Sequence, residues 1–248
     1  MIALLRTLAA TVTISLYVLI VGPPALLWTM LSRDVRLLYR AGLGGLRIGF
    51  ALVGIRVRIL GSENILHGRA AVYASNHGSN IDPPVLFASL APLYPKLRVL
   101  YKAELRRLPV LVWVFDAAGF VPVERANRGQ SLPAIDRARD GLLAGNSFLV
   151  FPEGTRSRTG ELLPFKKGGF IMAIGAQAPV VPVVISGARD AMRKGSVVIH
   201  PVTVSVHFAA PIATAGLTLD DRDRLVEQVR AAMAKTTPEV VFAKIARL

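Results

Sequence analysis

The chain has 248 residues, with 30 Lys plus Arg against 16 Asp plus Glu, a formal net charge of +14, yet it is 52% hydrophobic and only 19% charged. So many apolar residues exclude intrinsic disorder, 21 Gly and 16 Pro without a repeat exclude a collagen-like chain, and the absence of cysteine excludes disulfides, thiolate zinc sites and cysteine nucleophiles. The length is ample for one large core, and a chain both greasy and basic implies an anionic membrane surface or anionic lipid as its partner.

Thr7 to Ser32 carries no charge over 26 residues. As one helix it would be roughly 39 Å long, more than the roughly 30 Å hydrocarbon core. Pro23 and Pro24 stand inside it, and interior prolines remove hydrogen bonds and clash with the preceding turn. The segment therefore reads as a kinked transmembrane helix or as two shorter helices in one leaflet. No Ala-x-Ala-like cleavage site follows. Arg33, Arg36, Arg40 and Arg47 follow the run and only Arg6 precedes it, which places the C-terminal side in the cytoplasm. Ala41 to Ile55 is glycine-rich (GLGGLRIGF). It lacks the spacing and the preceding strand of a dinucleotide loop and reads as a helix with a close-packing face of small residues. Residues 1–55 thus form a membrane-attachment unit, and 56–248 a single globular domain.

From Ile55 onward, strands alternate with helices. Strand patterns fall at 55–60, 70–76, 96–102, 120–125, 147–154, 180–186 and 197–209. Helix patterns fall at 131–144, 169–178 and 220–234, the last with acidic residues in its first turn. Leu108 to Ala118 (LPVLVWVFDAA) reads as a buried core segment. The alternation predicts an α/β domain with a mostly parallel, mixed sheet flanked by helices.

Sites in open α/β sheets gather at strand ends. The 70–76 strand ends in Asn76-His77-Gly78-Ser79-Asn80-Ile81-Asp82-Pro83-Pro84. Histidine is the side chain whose charge change lies near neutral pH, so His77 suits proton abstraction from an alcohol. In a continuous helix His77 and Asp82 would be roughly 140° apart. They can meet if His77 lies in the loop and Asp82 opens the helix, and Asp before Pro-Pro reads as an N-cap. His200 and His207 have no nearby carboxylate and His67 falls in a loop; all three read as structural. No spacing suggests a metal site, and no Gly-x-Ser-x-Gly elbow suggests a serine hydrolase.

The strand at 147–151 runs into Phe151-Pro152-Glu153-Gly154-Thr155-Arg156-Ser157. Gly154 permits a tight turn. Arg156 offers a planar fork that matches a phosphate, and the Thr155 and Ser157 hydroxyls add donors. Glu153 would hold an arginine in place or bind a substrate hydroxyl. Arg125, after GFVPVE, is a second phosphate candidate, with Lys102 and Lys166 as further cations.

Taken together, NHGSNIDP (76–83), GFVPVER (119–125), FPEGTRS (151–157) and VVPVVISG (180–187) resemble, in order, the four blocks of the 1-acylglycerol-3-phosphate acyltransferases. The resemblance spans roughly residues 50–210; Pro122 stands among the usually β-branched residues of the second block. It implies His77 as general base with Asp82 orienting it, and Arg125, Glu153, Gly154, Thr155 and Arg156 around the substrate phosphate. Asn76, Ser79, Lys102, Lys166 and Pro182 fill supporting positions. It also implies acyl transfer from acyl-CoA or acyl-carrier protein to the sn-2 hydroxyl of lysophosphatidic acid, with no cofactor, and makes Leu108 to Ala118 a candidate wall of the acyl tunnel. The membrane phospholipid surface is then a partner, the catalytic domain faces the cytoplasm, and Arg33, Arg36, Arg98, Lys102, Arg106 and Arg107 face anionic lipid. The alternatives are another lysophospholipid or lipid acceptor, or a non-catalytic basic membrane-binding protein. A nucleic-acid binder fits poorly, since aromatics are 7% and not interleaved with the basic residues.

Overall fold

The computed structural model describes residues 1–124, 128–193 and 195–236. Helix α1 (Ile2–Ser32) runs through Pro23 and Pro24 as one continuous helix, in place of the alternative of two shorter helices. Proline already carries a helical φ and each one removes only a single backbone donor. Ala25 and Thr29, just past the pair, are buried and hold the helix on course.

Helix α2 (Arg36–Val53) turns back antiparallel along α1. Tyr17 lies against Gly44 and Gly45, and Ile14 against Gly49. A Cβ on Gly45 would sit 3.0 Å from the Tyr17 ring, so only a residue without a side chain gives the two helices this approach. The Tyr17 hydroxyl donates to the Ala41 carbonyl at 2.9 Å. The glycine-rich stretch is therefore the small-residue face expected of it.

The α/β domain has seven strands: β1 (Ile55–Leu60), β2 (Val72–Ser75), β3 (Leu97–Lys102), β4 (Val121–Val123), β5 (Ser147–Val150), β6 (Val180–Ser186) and β7 (Val202–Phe208). They form one sheet in the order β1-β7-β6-β2-β5-β3-β4. All neighbours are parallel except β6 and β7. The strand expected at 197–209 begins only at Val202, because residues 197–201 lie outside the ladder.

Successive side chains of a strand face opposite sides, and the central strands are apolar on both. Tyr73, Leu149, Val181 and Val183 face one layer, with α2 and α3 (Asp82–Ser89). Val72, Ala74, Phe148 and Val150 face the other, with α5 (Arg128–Leu143), α6 (Gly168–Gly175) and α7 (Arg222–Ala234). Burial on both faces explains why these strands read as continuous apolar runs.

Tyr39 of α2 is 2% exposed and fixes the helical hairpin to the domain. Its hydroxyl donates to the Leu97 carbonyl and accepts from Arg98. Its ring packs on Phe87 and Tyr94. Arg98 also donates to the Pro95 carbonyl, so its guanidinium serves the fold and not the lipid contact expected of it. Leu108 to Ala118 departs from a core segment as well. It forms helix α4 (Pro109–Ala117), with Trp113 59% exposed.

Candidate active site

The loop after β2 and the turn after β5 lie side by side, because their strands are sheet neighbours. The first loop is built around one carboxylate. Asp82 Oδ2 accepts the Gly78 and Ser79 backbone N–H groups, each at 2.7 Å, and lies 2.8 Å from His77 Nδ1. Asp82 is the first residue of α3, with Ile81 as its N-cap. It does not cap the helix as the sequence suggested. Its side chain turns back into the loop, where three donors converge on one oxygen, and it is 1% exposed.

The other loop residues fix the frame. Asn76 sits one residue past β2, and its side-chain amide accepts the Ile185 N–H at 2.8 Å and donates to the Ile185 carbonyl at 3.0 Å. The Ser79 hydroxyl is buried, donates to the Met192 carbonyl at 2.7 Å and accepts from the Ile81 N–H. Pro182 of β6 is aligned with Ala74 of β2.

The second turn braces the first. Glu153 is 4% exposed. One oxygen accepts the His77 N–H at 2.8 Å and the other the Leu163 N–H at 3.1 Å. Burial raises its pKa above the ordinary carboxylate range; the two N–H bonds act against that, and the nearby Asp82 charge adds to it. The sequence suggested that Glu153 holds an arginine or a substrate hydroxyl; its carboxylate instead holds two backbone donors. The Ser157 N–H closes the pairing by donating to the His77 carbonyl at 2.8 Å. The Phe151 ring lies over the imidazole, centroids 4.3 Å apart.

Arg156 is half-buried and reaches back to the first loop, where it donates to Asn80 Oδ1 at 2.7 Å. Gly154 has φ 69°, and the Lys166 side chain packs where a Cβ would stand. Thr155 is exposed in the same turn. The structure thus gathers His77, Asp82, Asn76, Ser79, Glu153, Gly154, Thr155, Arg156 and Lys166. It leaves Lys102 at the end of β3, paired with Glu104 at 2.8 Å. Arg125 lies outside the described residues. Phe151 and Arg189 escaped sequence reasoning. Arg189 packs on Gly78 and donates to the Arg158 and Thr159 carbonyls. The signal for Phe151 was its place at the head of FPEGTRS; Arg189 gave none.

Two cavities flank this loop. An apolar one of about 930 Å³ lies between α1, α2 and α4 and reaches Ile81 and Pro84, near Asp82. A more polar one of about 660 Å³ touches Asn76, Gly78, Asp82, Glu153, Arg189 and Arg230. Among the described residues, no three His, Asp or Glu gather in a metal-binding group.

The acyltransferase family model matches residues 56–186, from β1 to the end of β6. The chain is 33% identical over 212 residues to a 1-acyl-sn-glycerol-3-phosphate acyltransferase of Limnanthes douglasii, covering 85% of this chain and 73% of that protein. It is 32% identical over 197 residues to the mouse 1-acyl-sn-glycerol-3-phosphate acyltransferase alpha, covering 76% and 66%. Its fold matches the crystal structure of the 1-acyl-sn-glycerophosphate acyltransferase PlsC of Thermotoga maritima with a TM-score of 0.80 and 29% identity, over 96% of this chain and 95% of that one. The sheet order, the paired turns and these likenesses agree that the chain belongs to the acyltransferase family, among the 1-acylglycerol-3-phosphate acyltransferases.

Proposed function

We propose that the protein transfers a fatty acyl group from acyl-CoA or acyl-carrier protein to the sn-2 hydroxyl of 1-acyl-sn-glycerol 3-phosphate, forming phosphatidic acid at the cytoplasmic face of a membrane. The observation that carries this reading is the 2.8 Å contact between His77 Nδ1 and Asp82. With Nδ1–H donating to the carboxylate, Nε2 is the nitrogen that takes a proton. Nε2 removes the proton of the sn-2 hydroxyl as its oxygen attacks the thioester carbonyl. The tetrahedral intermediate then expels the thiolate, which takes the proton back from the imidazolium. The Asp82 carboxylate, held against Nδ1, stabilises that imidazolium. General-base help of this kind contributes roughly 10²–10⁴ in rate. The step needs no metal or cofactor beyond the thioester itself.

Arg156, on the rim beside Asn80, is the group on which the substrate phosphate docks. Arg125 is a second candidate for the same phosphate. The apolar cavity suits an acyl chain, since it is bounded by Ile81 and Pro84 near the base and by α1 and α2 beyond. Helix α1, whose exposed face carries Leu5, Leu16, Leu19, Ile20 and Leu31, supplies the membrane attachment. Transfer of a radiolabelled acyl chain from acyl-CoA to lysophosphatidate, run beside lysophosphatidylcholine and lysophosphatidylethanolamine, tests the assignment. Labelled phosphatidate with free thiol supports it. Labelling only of the other acceptors moves the activity to another lysolipid, and no thiol release with any acceptor or donor ends the enzymatic reading.

A further inference from the structure

Helix α4 has the composition of a buried helix and the placement of a surface one. PVLVWVFDA contains one charged residue, and a helix apolar on all sides belongs in a core or in lipid. Only part of its surface is covered. Phe115 packs on Tyr101 and Phe120, and Leu111 and Val114 line the apolar cavity together with α1. The remaining side projects outward through Trp113, with Leu108 and Leu105 exposed beside it.

The surroundings identify what covers this face. Arg106 and Arg107 are exposed in the segment leading into α4, and Arg106 is held on Asp116 at 2.7 Å. A tryptophan flanked by exposed leucines and by arginines matches the boundary between acyl chains and anionic headgroups. The patch also adjoins α1, because both helices line one cavity, and α1 itself exposes leucines along much of its length. A second copy of the chain would meet the guanidinium groups with its own excess of positive charge, whereas an anionic leaflet attracts them.

We infer that Leu105, Leu108 and Trp113 form a second membrane contact, on the catalytic domain itself, which seats in the headgroup region of an anionic phospholipid leaflet. This contact rests on the reading of α1 as a membrane anchor and adds to it a fixed orientation. With α1 as the sole contact, the hairpin and the domain fixed to it tilt as one body about α1. With α4 also seated, the cavity mouth at Ile81 and Pro84 is held at the lipid surface.

The two tryptophans, Trp28 in α1 and Trp113 in α4, allow a test that does not depend on activity. Full-length Trp28→Phe and Trp113→Phe proteins are reconstituted into vesicles of phosphatidylcholine and phosphatidylglycerol, with or without lipids brominated along the acyl chain. The expected result is a blue shift and loss of Trp113 emission in the brominated vesicles, strongest with bromines nearest the headgroup. If Trp28 is quenched while Trp113 keeps its lipid-free spectrum, the second contact is overturned and the anchor stands. If neither is quenched, the anchor reading fails and this one with it. A blue shift of Trp113 without bromine quenching, together with chain-to-chain crosslinking, assigns the patch to a protein interface and overturns the lipid contact.

Discussion

The helical hairpin and the loops at the end of the sheet break the ordinary rule of burial in opposite directions. In the hairpin, large apolar side chains such as Leu19, Ile20 and Leu31 stand exposed on α1. At the loops, the polar and ionisable Ser79, Asp82, Glu153 and Ser157 are buried. Exposed single apolar residues mean little, but a continuous exposed face and a set of buried carboxylates are each informative. One marks a surface that is not in contact with water. The other marks groups whose desolvation is offset by converging donors, five of them backbone or ring N–H groups on two carboxylates. This protein thus places its exposed apolar surface and its buried ionisable groups on separate elements, with Tyr39 among the contacts that join them.

The largest effect belongs to the centre of the buried set. His77→Ala is expected to lower kcat by roughly 10²–10⁴ with an unchanged circular dichroism spectrum and melting temperature; near-normal turnover by the folded variant ends the general-base assignment. Next comes the brace. In Glu153→Gln one amide oxygen still accepts, but the amide nitrogen faces a second N–H group, which costs about 1–3 kcal/mol of stability for the donor left unmet. The pH dependence of that loss has a defined sign. Because burial holds the folded-state pKa of Glu153 above its unfolded value, the carboxyl's contribution is fully present below the unfolded pKa and is lost as pH rises through the folded one. Urea titrations of both proteins from about pH 4 to about pH 7 should show the wild-type advantage narrowing as pH rises; a widening gap would mean that the two N–H bonds outweigh desolvation. The smallest effect is at the rim. Arg156→Ala is expected to raise KM for the phosphorylated acceptor roughly tenfold, with kcat little changed. An unchanged KM would make its bond to Asn80 structural.

Much of the fold was legible because its strands are regular. The apolar runs at 72–75, 147–150 and 180–186 are buried on both faces and could hardly be anything else. The His77 loop was legible for a different reason: a histidine and a carboxylate five apart, with Pro-Pro following, constrain where a helix can begin. What escaped depends on direction and not on identity. Asp before Pro-Pro looks the same whether its carboxylate caps the helix or folds back onto Gly78 and Ser79. Glu153 in an arginine-containing turn looks like a ligand for cations until the neighbouring strand brings the His77 N–H beneath it. Arg98 alternates with apolar residues as an exposed strand cation does, yet Tyr39, far away in sequence, draws it inward. Helix α4 is not the core segment its composition suggested, because hydrophobicity reports dislike of water and a core, a cavity wall and a membrane all satisfy that; Leu111 and Val114 line the apolar cavity while Trp113 faces outward.

Asn76 has a consequence for how the reactive loop can exist beside a sheet. A strand that leaves its neighbour abandons that neighbour's next donor and acceptor together. Here a single carboxamide meets both backbone groups of Ile185, accepting from its N–H and donating to its carbonyl. The main chain is thereby released to turn into the His77 loop one residue early, while Ile185 keeps both a donor and an acceptor. No carboxylate can play this part, because it cannot donate, and no aliphatic side chain of the same size can play either half of it.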